Sequence, residues 1–179
     1  MPVIGGFTID DMKKYSEVRA AFDGEPRRAG VTPSDWLYRF DAMAKVAGVL
    51  SDYSKSVSAW WFPKPTYQAI IQLHKSTDIP LDQIARSLGA IAFNFKEVID
   101  SLVRGQLVAP KPGLKGRISP KALKSLPPHP GRPADLERIW TEGGLTQLWI
   151  PDLKRRDFSS MDARKIPAKG RSTVLFAEE

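Results

Sequence analysis

Apolar residues recur at helical spacing in the first part of the chain. The clearest stripe, at intervals of three or four residues, consists of Trp36, Phe40, Met43, Ala47 and Leu50. This period predicts one amphipathic helix of about four or five turns. Thr32-Pro33 supplies the expected N-cap and first helical residue. The stripe fits a core face or a dimer interface equally well.

The middle of the chain predicts three helices followed by a hairpin. The helices cover residues 66–74, 81–88 and 93–104, and Gly89 and Gly105 end the second and third. Leu107-Val108 opens a strand, and a turn-rich basic loop leads to a return strand at Arg117-Ile118.

This order of elements resembles a winged helix-turn-helix domain. Ala85 and Leu88-Gly89 occupy the second helix and its turn, and Gly105-Gln106-Leu107-Val108 is similar to the Gly-x-Leu-Ile run that leads into the wing. Residues 118–123 resemble the strand and helix that follow the wing in MarR-like regulators. The resemblance covers residues 66–126. It implies a mainly α fold, with three helices plus a β-hairpin wing.

The flanks complete the expected domain layout. Residues 1–63 form a helical N-terminal region for packing or dimerisation, and residues 64–126 form the winged helix-turn-helix. Residues 127–134, which hold four prolines, predict a linker. Residues 135–179 form a small C-terminal extension with a basic tail, in which residues 145–150 read as a strand or a short amphipathic piece.

Positive charge is concentrated in the middle third. The chain has 27 Lys and Arg against 20 Asp and Glu. Residues 64–126 hold ten of these cations and four acids, a net charge of +6, whereas residues 1–63 hold eight of each. A localised positive field favours a polyanionic partner. The alternative is a solvated face that only keeps the protein soluble.

The resemblance and the charge together predict sequence-specific binding of double-stranded DNA, with transcriptional regulation as the role. Helix 93–104 is expected in the major groove and wing 109–118 on flanking phosphates. The expected DNA contacts are Asn94, Lys96 and Arg104 from the helix, Lys111, Lys115 and Arg117 from the wing, and Lys121 and Lys124 as further phosphate contacts. A homodimer is expected because one helix and one wing read few base pairs.

Two alternatives stay open. A winged helix also serves as a protein-interaction adaptor, in which Ile91, Phe93 and the Trp60-Trp61-Phe62 cluster form the contact surface. Three adjacent large aromatics cannot all face one core from one element, so that cluster is expected to divide its contacts. The other alternative is a plasmid or phage replication or partition factor. All three hypotheses place the protein in the cytoplasm, at the nucleoid if it binds DNA.

The sequence offers little support for an enzyme. It contains no cysteine, and its two histidines, His74 and His129, lie far apart. No phosphate-binding glycine loop is present. We therefore expect no catalytic residue, no metal site and no cofactor. No run of residues is long and apolar enough for a transmembrane helix, so no membrane partner is expected.

Overall fold

Antiparallel strands dominate the computed structural model, which describes residues 18–77, 79–89, 98–119 and 144–166. The strands are β1 (Arg27–Val31), β2 (Leu37–Asp41), β3 (Trp60–Pro63), β4 (Ser101–Leu107), β5 (Lys111–Arg117), β6 (Thr146–Trp149) and β7 (Phe158–Lys165). The α-helices are α1 (Met43–Leu50), α2 (Lys64–Thr77) and α3 (Leu81–Leu88), and a 3-10 turn spans Arg155–Asp157.

All seven strands belong to one sheet, in the order β1-β5-β6-β3-β2-β4-β7. Every neighbouring pair is antiparallel. The order is far from sequential, because β6 inserts between β5 and β3 and β4 inserts between β2 and β7. The centre of the sheet is therefore built from residues that are far apart in sequence.

Both faces of the sheet are covered. Helices α2 and α3 pack on one face, here called the helix-pair face, where Phe40, Phe62 and Leu102 meet Ile70 and other side chains of α2 and α3. The opposite face is called the α1 face. Its core includes residues of the strands, Val46 of α1, and Leu153 and Phe158 near the 3-10 turn.

Strand β2 shows how the two faces share one sequence. Tyr38 and Phe40 belong to the core of the helix-pair face, and Leu37 belongs to the core of the α1 face. Because successive side chains of a strand point to opposite faces, Arg39 and Asp41 lie on the same face as Leu37. All five residues of β2 are buried.

The expectation of a mainly α fold is wrong, because the described chain is an α+β structure around a seven-stranded sheet. The expected helix over residues 36–50 divides into β2 and α1. The helical spacing from Trp36 to Leu50 therefore arose from two separate elements.

The winged helix-turn-helix arrangement is also wrong, because the end of its third helix and its wing both contribute strands to the large sheet. Residues 101–104, expected at the end of the third helix, belong to strand β4, and residues 93–97 lie outside the described part of the chain. The expected wing, residues 109–118, contains β5, which pairs with β1 and β6 in the interior of the sheet order. It does not stand out beside a helix as a free hairpin.

Several local expectations are confirmed. Helix α2 includes the expected residues 66–74, and α3 has the expected span, with Gly89 as its C-cap. Strand β6 forms within the expected residues 145–150. The expected linker, residues 127–134, lies outside the described residues.

The close packing of β4 on Phe158 gives the first testable prediction. A Cβ at Gly105 would lie 2.8 Å from Cδ1 of the buried Phe158 ring. We expect Gly105→Ala to reduce the free energy of unfolding by about 1–3 kcal/mol, measured by urea denaturation.

Gly48 of α1 is the matched control, because a Cβ there meets nothing within 4 Å. Gly48→Ala should raise stability by about 0.5–1 kcal/mol, since alanine favours the helix. Equal stability of the Gly105→Ala variant and the parent would contradict the packing described here.

Candidate functional site

A buried ion pair lies on the α1 face of strand β2. The guanidinium of Arg39 donates a hydrogen bond from Nη2 to Oδ2 of Asp41. Arg39 is only 9% exposed and Asp41 6%. The guanidinium carbon of Arg39 also lies 5.5 Å from the ring centroid of Trp61, which gives it a cation–π contact. Burial removes both charges from water, and each is stabilised by the opposite charge. Either charge alone would be buried without this compensation.

Asp41 also fixes the start of helix α1. Its Oδ1 accepts the backbone N–H of Ala42 at 2.9 Å, and Oδ1 of Asp100 accepts that of Met43 at 2.7 Å. Two free donors at the helix N-terminus are thereby satisfied by carboxylates, which the helix dipole also favours. The side chain of Ser101 donates to the carbonyl of Asp41 at 2.8 Å and ties β4 to the same point.

Burial lowers the pKa of Arg39, and the nearby Asp41 carboxylate partly offsets this effect. The ordinary pKa of arginine is so high that the guanidinium stays charged at neutral pH. Its Nε has no hydrogen-bond partner in the described part of the chain. A buried charged donor without a partner is costly, and such groups are concentrated at functional sites.

A pocket of about 170 Å³ opens beside this pair and is called the Arg39 pocket. It is lined by Arg39, Asp41, Lys45, Val46, Val49, Ser56, Val57, Ser58, Val103 and Met161. Lys45 and Ser56 are exposed, whereas Arg39 and Val103 are buried. The pocket thus combines an apolar wall with two cations, one carboxylate and two hydroxyl groups.

A second feature lies at the β1 end of the sheet and is called the basic strand pair: Arg27 and Arg28 of β1, and Lys115 and Arg117 of β5. All four side chains are exposed. Arg27 lies directly opposite Lys115 in the antiparallel register. Arg117 follows two residues later on the same face, and its Nε donates to the carbonyl of Gly144 at 3.2 Å.

Lys111 forms a local ion pair with Asp157. Its ammonium lies 3.2 Å from Oδ1 of Asp157, and Oδ2 of Asp157 accepts the backbone N–H of Lys154 at 2.7 Å. Burial by itself raises the pKa of Asp157, but the Lys154 N–H and the Lys111 ammonium together lower that pKa below its ordinary value. Lys111 therefore joins β5 to the 3-10 turn and adds little to the positive surface.

The structure brings only part of the expected DNA-contact set together. Lys115 and Arg117 lie on one face of β5. Arg104 lies in β4 opposite Tyr38, on the helix-pair face, with its guanidinium carbon 4.4 Å from the Trp36 ring centroid. The other expected contacts, Asn94, Lys96, Lys121 and Lys124, lie outside the described residues.

The aromatic cluster expected to contact a partner is mostly inside the protein. Trp61 belongs to the core of the α1 face and Phe62 to that of the helix-pair face, and both are buried. Trp60 is half-buried and packs near Phe22. The expectation that the three aromatics divide their contacts is confirmed. Ile91 and Phe93, the other expected contact residues, lie outside the described part.

Sequence reasoning missed the Arg39 pocket and half of the basic strand pair. The signal for the pocket was the alternation Leu37-Tyr38-Arg39-Phe40-Asp41, which places two charges at every second position of an apolar run. The signal for β1 was weaker, because Arg27 and Arg28 are about ninety residues from their partner strand.

Two further observations concern the described residues alone. They contain no group of three or more His, Cys, Asp or Glu side chains placed to hold a metal ion. None of their helices is both long and apolar enough to cross a membrane.

No family model matches the sequence, and no curated protein does. Among solved structures, a chain in the structure of Tne2 in complex with Tni2 has a similar fold. The TM-score is 0.52 at 14% sequence identity, over 83% of this chain and 98% of the other. At this identity the likeness concerns the fold alone.

The buried ion pair gives a second prediction. Asp41→Asn leaves the Arg39 guanidinium buried without a counter-charge, and we expect a loss of about 3–5 kcal/mol in the free energy of unfolding. The double variant Arg39→Met with Asp41→Leu should recover most of that loss, because neither charge is then buried. Urea denaturation measures both.

Asp162→Asn provides the control, since Asp162 is half-exposed and lies 4.0 Å from Arg164. A surface pair of this kind contributes about 0–1 kcal/mol. Similar losses for Asp41→Asn and Asp162→Asn would show that the buried pair does not stabilise β2 as described.

The lowered pKa of Asp157 predicts a pH dependence. Because the folded-state pKa lies below the unfolded value of about 3.9, the ionised carboxylate stabilises the fold above that value. The contribution is lost as the pH falls through the folded-state pKa. Asp157→Asn should therefore be less stable than the parent at pH 7, and the difference should shrink toward pH 3. A difference independent of pH would contradict this linkage.

Proposed function

We propose that this chain binds a small anionic molecule in the Arg39 pocket. The observation that carries the proposal is the buried Arg39 guanidinium, which lines an open cavity together with the exposed Lys45. A phosphate or carboxylate oxygen is the ordinary partner of an arginine N–H donor.

The other residues of the pocket support an anion. Lys45 adds a second cation, and the hydroxyl groups of Ser56 and Ser58 add donors. The negative charge of Asp41 is already engaged by Arg39 and by the N–H of Ala42. Asp41 therefore orients the guanidinium and offsets its charge, so the net positive charge of the pocket is that of Lys45.

The volume limits the size of the ligand. A cavity of about 170 Å³ is below the range of about 300–1,000 Å³ that is typical of sites for drug-sized ligands. It suits a phosphate ester or a small organic acid, or the anionic end of a larger molecule.

The remaining expectations stay predictions. Duplex DNA binding, transcriptional regulation, a homodimer and a cytoplasmic location are untested, and so is the absence of enzymatic activity. We also propose a protein partner, for which the support is that the similar fold occurs in a complex of two proteins.

Thermal denaturation with glycerol 3-phosphate tests the anion site, with glycerol at the same concentration and ionic strength as the neutral comparison. We expect the phosphate ester to raise the Tm and glycerol to raise it less. A ligand at a hundredfold excess over its Kd stabilises by about 2.7 kcal/mol.

Lys45→Ala should reduce the shift, because it removes an exposed cation of the pocket without touching the core. Lys75→Ala, on exposed α2 surface outside the pocket, should leave the shift unchanged. Equal shifts with glycerol 3-phosphate and glycerol in the parent protein would rule out the proposed site.

A further inference from the structure

Strand β1 ends the sheet, and its outer edge has no strand partner among the described residues. An edge strand presents unpaired backbone N–H and C=O groups to its surroundings. The face of this strand is open at Gly30, since a Cβ built there meets no described atom within 4 Å. The edge therefore has the geometry needed to accept another extended segment.

The charged side chains of β1 and of its partner strand β5 are all positive. Arg27 and Lys115 are directly opposed on the α1 face, and neither has an ion-pair partner in the described part of the chain. Arg117 continues the row on the same face. The nearest acid before β1, Glu25, is paired with Arg19 at 2.6 Å. Opposed like charges are unfavourable in a free sheet, and a negatively charged partner relieves them.

Cations project from both faces of the sheet at the β1 edge. Arg28 lies opposite Leu114, which belongs to the core on the side of Trp149, whereas Arg27 lies opposite Lys115 on the α1 face. Cations therefore flank the edge from both sides of the sheet. An extended chain added at the edge meets both sets, whereas a rigid duplex laid on the α1 face meets only one.

From this geometry we infer that the β1 edge binds an acidic, extended segment of a partner protein by strand addition. A second copy of this chain is a poor occupant, because its β1 edge carries the same positive charge and no acidic side chain. The inference rests on the proposed protein partner and names the surface and the charge by which that partner is recognised. It does not involve the Arg39 pocket.

Fluorescence anisotropy tests the inference on the full chain. The probe is a labelled octapeptide that alternates threonine and glutamate, because threonine favours strands and glutamate supplies the charge. One comparison peptide has the same charge but proline at two central positions, which removes N–H donors and prevents strand pairing. The other alternates threonine and glutamine and is neutral. A short random-sequence duplex DNA is the fourth probe.

We expect the acidic strand-forming peptide to bind most tightly. Arg27→Glu and Lys115→Glu should each weaken it about tenfold, equivalent to about 1.4 kcal/mol. Arg28→Glu should weaken it also, since Arg28 flanks the edge from the other face. Lys75→Glu reverses an exposed charge on α2 and should change nothing. Circular dichroism checks that each variant is folded, and Arg27→Gln and Lys115→Gln are milder substitutes.

Each other result overturns the inference in a recognisable way. Equal binding of the proline-containing peptide means charge attraction without strand addition. Tighter binding of duplex DNA, dependent on Arg27 and Lys115 but not on Arg28, favours the DNA hypothesis. Equal binding of the neutral peptide means an edge that takes strands regardless of charge. If no peptide binds, the β1 edge is not the binding surface. The proposed protein partner must then contact another part of the chain.

Discussion

The structure depends on a sheet that is covered on both faces. Strand β2 lies near its centre, so each of its side chains is buried, including the two charged ones. Arg39 and Asp41 are tolerated there because each neutralises the other and because Asp41 also accepts a backbone N–H. The same pair fixes where β2 ends and α1 begins. A change in this ion pair therefore affects the sheet, the start of α1 and the pocket together.

The two candidate sites use positive charge in different ways. In the Arg39 pocket the guanidinium is withdrawn from water, which strengthens its interaction with an anion and selects for a small ligand. At the basic strand pair the cations are exposed and individually weak, since water and salt screen them. That surface gains affinity only by combining charges with the backbone hydrogen bonds of an open edge. One site suits a small molecule, and the other suits a chain.

The elements predicted from the sequence were correct where a local signal determines the structure. Gly89 ends α3 as expected, and the apolar period of residues 81–88 identifies the helix. The expectation failed for residues 37–41 and 101–104, which belong to strands β2 and β4. Both segments are short and rich in apolar residues, and runs of this kind fit a helix equally well. Only the second of these segments belongs to the winged-helix hypothesis, which covered residues 66–126 and placed residues 101–104 at the end of its third helix.

The sequence by itself determined the positive charge of the chain, helices α2 and α3, and that the aromatics of residues 60–62 do not all face one core. These follow from local spacing, capping and side-chain volume. Only the tertiary structure decided which cations act together, because Arg27 and Lys115 meet through a pairing of strands far apart in sequence. The same holds for the Arg39 pocket, whose lining comes from five separate parts of the chain. Non-local strand pairing has no signal in a local pattern, so these sites become visible only in the folded sheet.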